Sequence, residues 1–121
     1  MRKEDFKLGD ISFETKVGGV VVKIREDAMD DKTVEYAQKI LELYLLKKSE
    51  IIEYVLNNGV SDFYKCEYTQ DEIAKRLNEA DIEIISDEWG ILTWLNSNLD
   101  EHIIGVEFNN DLQLSYVSID G

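Results

Sequence analysis

The chain has 121 residues, enough for one domain and too few for two with separate cores, and its 44% apolar content supports an ordinary buried interior. It carries 26 Asp/Glu against 13 Lys/Arg, a formal charge of −13, with one histidine, one cysteine and no proline. That inventory excludes a Cys/His zinc site and a disulfide scaffold, and no Walker or dinucleotide glycine spacing occurs. No apolar run approaches the ~20 residues of a membrane span. The first residues, Met1-Arg2-Lys3-Glu4-Asp5-Phe6, lack the apolar stretch of a signal peptide. A cytoplasmic single domain, 1–121, with no metal, cofactor or catalytic residue, is the expectation.

The charge is unevenly placed. Residues 1–60 hold ten Lys/Arg and twelve Asp/Glu, whereas 61–121 hold three and fourteen. After Arg76 there are ten acids and no basic residue. Such a field repels nucleic acid and anionic membrane and attracts a basic partner. Crowded acids also predict that mild acidification or salt relieves self-repulsion.

Phe6–Glu14 and Val17–Ile24 read as two strands of a hairpin, with turn material at Thr15–Gly19 and β-branched Val20-Val21-Val22. Glu26–Asp31 offers helix caps. From Lys32 to Asn57 apolar residues recur at helical spacing, either as one long helix or as two meeting near Lys47-Lys48-Ser49, with Ser49 able to cap the second. Asn57-Asn58-Gly59 reads as a helix stop. Thr69-Gln70-Asp71-Glu72 is a capping box that opens a short helix to about Asn78.

Four strands follow, at Asp81–Ser86, Ile91–Leu95, His102–Phe108 and Leu112–Ile119. Polar, turn-forming segments of four, six and three residues separate them, so an antiparallel up-down meander is predicted. The order of elements implies an α+β fold: N-terminal β-hairpin, helical middle, C-terminal four-stranded antiparallel meander, and helices on one face of a single antiparallel sheet.

His102 heads the alternation His102, Ile104, Val106, Phe108, which places it on the apolar face of a strand, and has Asp100 and Glu101 beside it. A packed, hydrogen-bonded histidine is expected there rather than an acid–base pair. Asp27–Asp31 and Asn109-Asn110-Asp111 lack the spacing of a calcium loop and serve as caps and turns. Cys66 has a single basic neighbour, Lys65, and is expected to be inert. Trp94 falls mid-strand, a core position. Trp89 stands between Glu88 and Gly90 in an acidic turn, either folded onto the sheet or free as an interface anchor.

The run Asp100-Glu101-His102-Ile103-Ile104-Gly105-Val106-Glu107-Phe108, followed by a hairpin and closing strand, resembles a pattern in small bacterial α+β domains. Several of these are similar to immunity proteins of polymorphic-toxin and contact-dependent growth inhibition systems. Glu101, His102, Gly105 and Val106 match the pattern, while Ile103 stands where glycine is usual. The likeness in element order spans nearly the whole chain. It implies a protein that acts by binding and occluding a toxin, here one with a basic, nuclease-like surface. The alternative is a small structural or regulatory domain without a toxin partner, as a monomer or weak homodimer. In a meander, alternate turns share one end of the sheet. Asp87, Glu88 and Trp89 are therefore expected beside Asn109, Asn110 and Asp111 as the partner-binding site, supplemented by Tyr64 and Tyr68.

Overall fold

The computed structural model describes all 121 residues. A short 3-10 turn leads into β1 (Lys7–Leu8), β2 (Ser12–Val17) and β3 (Val20–Arg25). The helical middle comprises α1 (Asp31–Leu46), α2 (Lys48–Val55), α3 (Ser61–Tyr64) and α4 (Gln70–Arg76). The strands β4 (Asp81–Ile84), β5 (Trp89–Trp94), β6 (Ile103–Asn109) and β7 (Gln113–Asp120) complete the α+β chain.

All seven strands form one sheet in sequence order, antiparallel throughout except where β3 pairs parallel with β4. A sheet limited to four C-terminal strands is thus too small, and a wholly antiparallel one is incorrect. The hairpin adds to the same sheet because Val20, Val22 and Ile24 extend the apolar face of Ile82 and Ile84. A parallel pair cannot be joined by a tight turn. Residues 26–80 make the crossover and lay the helices over that face.

The hairpin also differs from its expected boundaries. Gly18 and Gly19 both have positive φ (56° and 86°), so a two-residue turn joins Val17 directly to Val20. Pairing then runs back only to Ser12↔Arg25, and the first strand breaks at Gly9-Asp10-Ile11 into β1 and β2.

Asp30 caps α1, its carboxylate accepting the Thr33 N–H at 2.8 Å. The 32–57 stretch is two helices, separated at Lys47 where φ −115° and ψ 20° leave the helical region. Lys47, not Ser49, occupies the N-cap of α2, and no side chain caps it. The helix stops at Asn57–Gly59 as expected: Asn58 (φ −112°, ψ 33°) and Gly59 (φ 133°) leave the helical region, and the chain kinks there into α3. Thr69 and Glu72 form the expected capping box on α4.

The inner sheet face buries Leu92, Trp94, Ile104, Val106 and Phe108 beside the valines and isoleucines of β3 and β4. Against it lie Val34, Ala37, Ile40, Leu41 and Tyr44 of α1 and Ile51 and Val55 of α2. Burial of each such side chain contributes about 1.5–3 kcal/mol. Trp94 is core, its indole N–H donating to the Asn78 carbonyl at 2.9 Å. Tyr44 locks the end of the crossover: its hydroxyl donates to Glu79 and accepts the buried Ala80 N–H at 3.0 Å. The outer face is half-exposed and carries a row in register: Glu14, Lys23, Glu83, Ile91, Glu107, Tyr116.

Two glycines of the sheet differ sharply in tolerance. A Cβ on Gly90 would collide with the Glu83 carbonyl and lie 2.7 Å from Phe108 Cζ. A Cβ on Gly105 would approach the side-chain hydroxyl of Ser118 at 3.1 Å, with Ile91 Cγ2 and the Leu92 carbonyl at an ordinary 3.7 Å. Gly90→Ala is expected to cost about 3 kcal/mol by overpacking, lowering the melting temperature by ~10 °C, and Gly105→Ala under about 1 kcal/mol. Equal effects of the two in thermal and urea unfolding would contradict this packing.

Candidate functional site

The β4–β5 and β6–β7 turns are adjacent, as meander geometry requires. Trp89 opens β5 directly opposite Asn109, the last residue of β6. The Asn110 N–H donates to the Glu88 carbonyl at 2.8 Å, joining the two turns through their backbones. Within the first turn the Ser86 hydroxyl accepts the Glu88 N–H, and the Trp89 carbonyl accepts the N–H groups of Ile85 and Ser86. Within the second, Asn110 and Leu112 take positive φ (47° and 63°).

Between the turns the outer face is hollowed. In β7 an extra residue, Ser115, falls between Leu114, opposite Phe108, and Tyr116, opposite Glu107. The resulting concavity, about 410 Å³, is lined by Glu88, Trp89, Glu107, Phe108, Asn109, Asn110 and Ser115. Trp89 is 38% exposed and stands on the outer face in the same file as Ile91. Neither Glu88 nor Glu107 has a cationic partner within 4 Å, whereas other carboxylates at this end do.

Asp87 and Asp111 are already engaged by α1. Lys32 binds Asp87 at 2.9 Å, Lys39 binds Asp111, and the Tyr36 hydroxyl donates to the Asn110 carbonyl at 2.8 Å. The Lys39 ammonium holds the Asp111 carboxyl below its ordinary value. Burial pushes the Tyr36 hydroxyl up to about 12, aided by the charges of Asp111, Asp87 and Glu88. Of the residues expected to face a partner, Glu88, Trp89, Asn109 and Asn110 line the concavity, while Asp87 and Asp111 point to the helix. Glu107 joins them, unforeseen. Strand alternation between Val106 and Phe108, combined with antiparallel register to Trp89, was the signal for it.

Tyr64 and Tyr68 belong elsewhere. Tyr64 is buried, its hydroxyl donating to Asp100 at 2.8 Å, and Tyr68 donates to the Leu99 carbonyl at 3.1 Å. Both therefore close the middle turn, at the opposite end of the sheet from Trp89. Their rings pack edge to face, and the Arg76 guanidinium lies 4.8 Å from the Tyr68 ring centre. His102 sits there too: Asp100 accepts its backbone N–H and meets its Nδ1, both at 2.9 Å, with Phe63 against the ring. The histidine lies just before β6 and is partly exposed, not inside the strand on its apolar face, and Asp100 supplies its hydrogen bonds.

Cys66 is a free, exposed thiol. Nowhere do three His, Cys, Asp or Glu side chains converge as a metal site requires, and no helix is long and apolar enough to cross a membrane.

The carboxyls whose acidity is displaced all move downward. Asp30 and Glu72 do so through the N–H groups they cap, of Thr33 and Thr69, and Asp111 through Lys39. For Glu79 burial acts upward but is outweighed by Lys48 and Tyr44. For Asp100 it is outweighed by the His102 N–H, the Tyr64 hydroxyl and the His102 ring. A folded-state value below the unfolded one means stability present above the ordinary carboxyl range and lost as pH falls through it. The melting temperature is expected to gain nothing from these five groups between pH 7 and 5, and to fall below about pH 4.5. A rise on going from pH 5 to pH 3.5 would show that self-repulsion dominates instead. The chain matches no family model, and comparison with the curated proteins and with the solved structures returns no match to it.

Proposed function

We propose that the chain is an immunity-type protein that binds a cognate toxin domain with a basic, nuclease-like surface and neutralises it by occlusion in the cytoplasm. The observation that carries this reading is Trp89, exposed beside a concavity whose two carboxylates, Glu88 and Glu107, have no cation of their own. A guanidinium or ammonium entering there meets an aromatic face, two acids and the amides of Asn109 and Asn110. That combination supplies cation–π attraction and charge-assisted hydrogen bonds together. A nuclease presents such cations because it must hold phosphates, so covering them removes its substrate. Small size and the wholly acidic stretch after Arg76 support binding rather than catalysis.

The test is whether a toxin domain is encoded beside this chain's gene and, with that domain, co-expression followed by binding kinetics at two salt concentrations. Rescue of growth is expected. Glu88→Lys should slow association and flatten its salt dependence. Trp89→Ala should mainly speed dissociation, by the ~30-fold or more of an interface hot spot. Glu101→Lys, at the opposite end, should leave binding intact. Absence of rescue, or loss of binding in Glu101→Lys alone, would overturn the assignment.

A further inference from the structure

The two edges of the sheet are built differently. At one end β1 is only two residues long and carries Lys7, the short, charged kind of edge that resists pairing. At the other, β7 runs for eight residues, Gln113–Asp120, without a lysine, arginine or proline. Outside its ladder with β6, no backbone hydrogen bond involves this strand. The bulge at Ser115 interrupts its first part and leaves Tyr116–Asp120 as regular, unpaired edge. Natural sheets seldom leave such a template open unless it is used.

The chemistry beside the edge specifies an occupant. On the outer face Tyr116 is 60% exposed and lies directly opposite Glu107, and Asp120 lies opposite Ile103. On the inner face Val117 and Ile119 are half-buried, so the apolar surface continues to the edge. A strand added here would place alternate residues beside Tyr116, Ser118 and Asp120, with Glu107 one strand further in, and the others beside Val117 and Ile119. A second copy of the chain fits poorly, because each copy brings a charge of −13 and its own Glu107 and Asp120.

We infer that the β7 edge receives an extended segment of a basic partner protein as an eighth, β-augmenting strand. Its Lys/Arg side chains project over Tyr116 toward Glu107, and its apolar side chains extend the row of Val117 and Ile119. Backbone pairing supplies the affinity, while Glu107 and Asp120 select the charge. The inference rests on the reading of this chain as a binder of a basic protein and says how that partner docks. The edge adjoins the Trp89 concavity through Ser115, so one partner can engage both.

The probe is a capped nine-residue peptide of alternating lysine and valine, compared with a twin bearing a central proline and a twin with glutamate for lysine. Amide hydrogen exchange at Tyr116–Asp120 is expected to slow with the first peptide. The proline twin should bind at least about tenfold more weakly, and the glutamate twin not at all. Tyr116→Lys, on an exposed side chain, should weaken binding about tenfold, and Ser118→Lys provides a second edge variant. Glu14→Gln, on β2 beside the far edge, raises the net charge by one as Tyr116→Lys does and should have little effect. Equal affinity for the lysine peptide and its proline twin would overturn the inference, since attraction would then be charge alone. So would protection confined to Glu88–Trp89 and Asn109–Asn110, or protection of β7 by self-association without peptide. Growth rescue dependent on Trp89 with β7 unprotected would sink the edge and keep the toxin reading. Edge protection by the peptide without growth rescue would do the reverse.

Discussion

The parallel pairing of β3 with β4 is the constraint from which the remaining geometry follows. Only three residue pairs form it, Val22↔Ile82, Lys23↔Glu83 and Ile24↔Ile84, yet they merge the hairpin and the meander into one sheet. A hairpin alone is at best marginally stable, whereas seven strands present a face broad enough for two helices. Because the pair is parallel, the chain must travel the length of the sheet between β3 and β4. That journey brings α1 across the inner face, with Lys32, Tyr36 and Lys39 over the two turns that flank Trp89. At its far end Tyr44, Lys48 and Glu79 fix where the chain re-enters the sheet.

The charge imbalance along the sequence takes on a different meaning in space. Four lysines of the first half each reach an acid that follows Arg76: Lys23 to Asp81, Lys32 to Asp87, Lys39 to Asp111 and Lys48 to Glu79. Solvent screens the pairs of Lys32, Lys39 and Lys48, so their role is to orient the crossover rather than to hold it. Their consequence for the surface is larger. Lys32, Lys39 and Lys48 engage acids on the side facing the helices, Lys23 and Asp81 pair on the outer face, and Glu88 and Glu107 keep no cation within 4 Å.

Local chemistry made much of this legible. The alternation of Ile104, Val106 and Phe108, the Asp30 cap and the Thr69/Glu72 box are each decided within a few residues, and each appears in the structure. The adjacency of Glu88–Trp89 and Asn109–Asn110 followed from antiparallel order alone. What escaped depends on partners distant in sequence. The parallel β3/β4 pair joins residues some sixty positions apart. Tyr64 and Tyr68 look like free aromatics in a polar connection until α3 folds them over Asp100 and Leu99. Asp87 and Asp111 look available until α1 delivers Lys32 and Lys39. The break at Lys47, one of the two alternatives the sequence left open, carries no glycine or proline and follows from the packing of α1 against β3 and β4 and of α2 against β7.

A sheet covered on one side only divides its residues by the constraints they bear. Inner positions are held by packing: Gly90 cannot even accept a methyl group, because Phe108 and the Glu83 carbonyl fill the space. Outer positions have no such neighbours, so their identities are free of the core. Trp89, Ile91, Glu107 and Tyr116 nevertheless place large apolar and acidic groups side by side across three adjacent strands. Solubility would be served better by lysine, threonine or serine at each of these sites. An exposed aromatic beside an unpaired acid is poor surface for a protein that meets only water and good surface for one that meets a cation. The face that folding leaves unconstrained is therefore where the chemistry for a partner has room to accumulate.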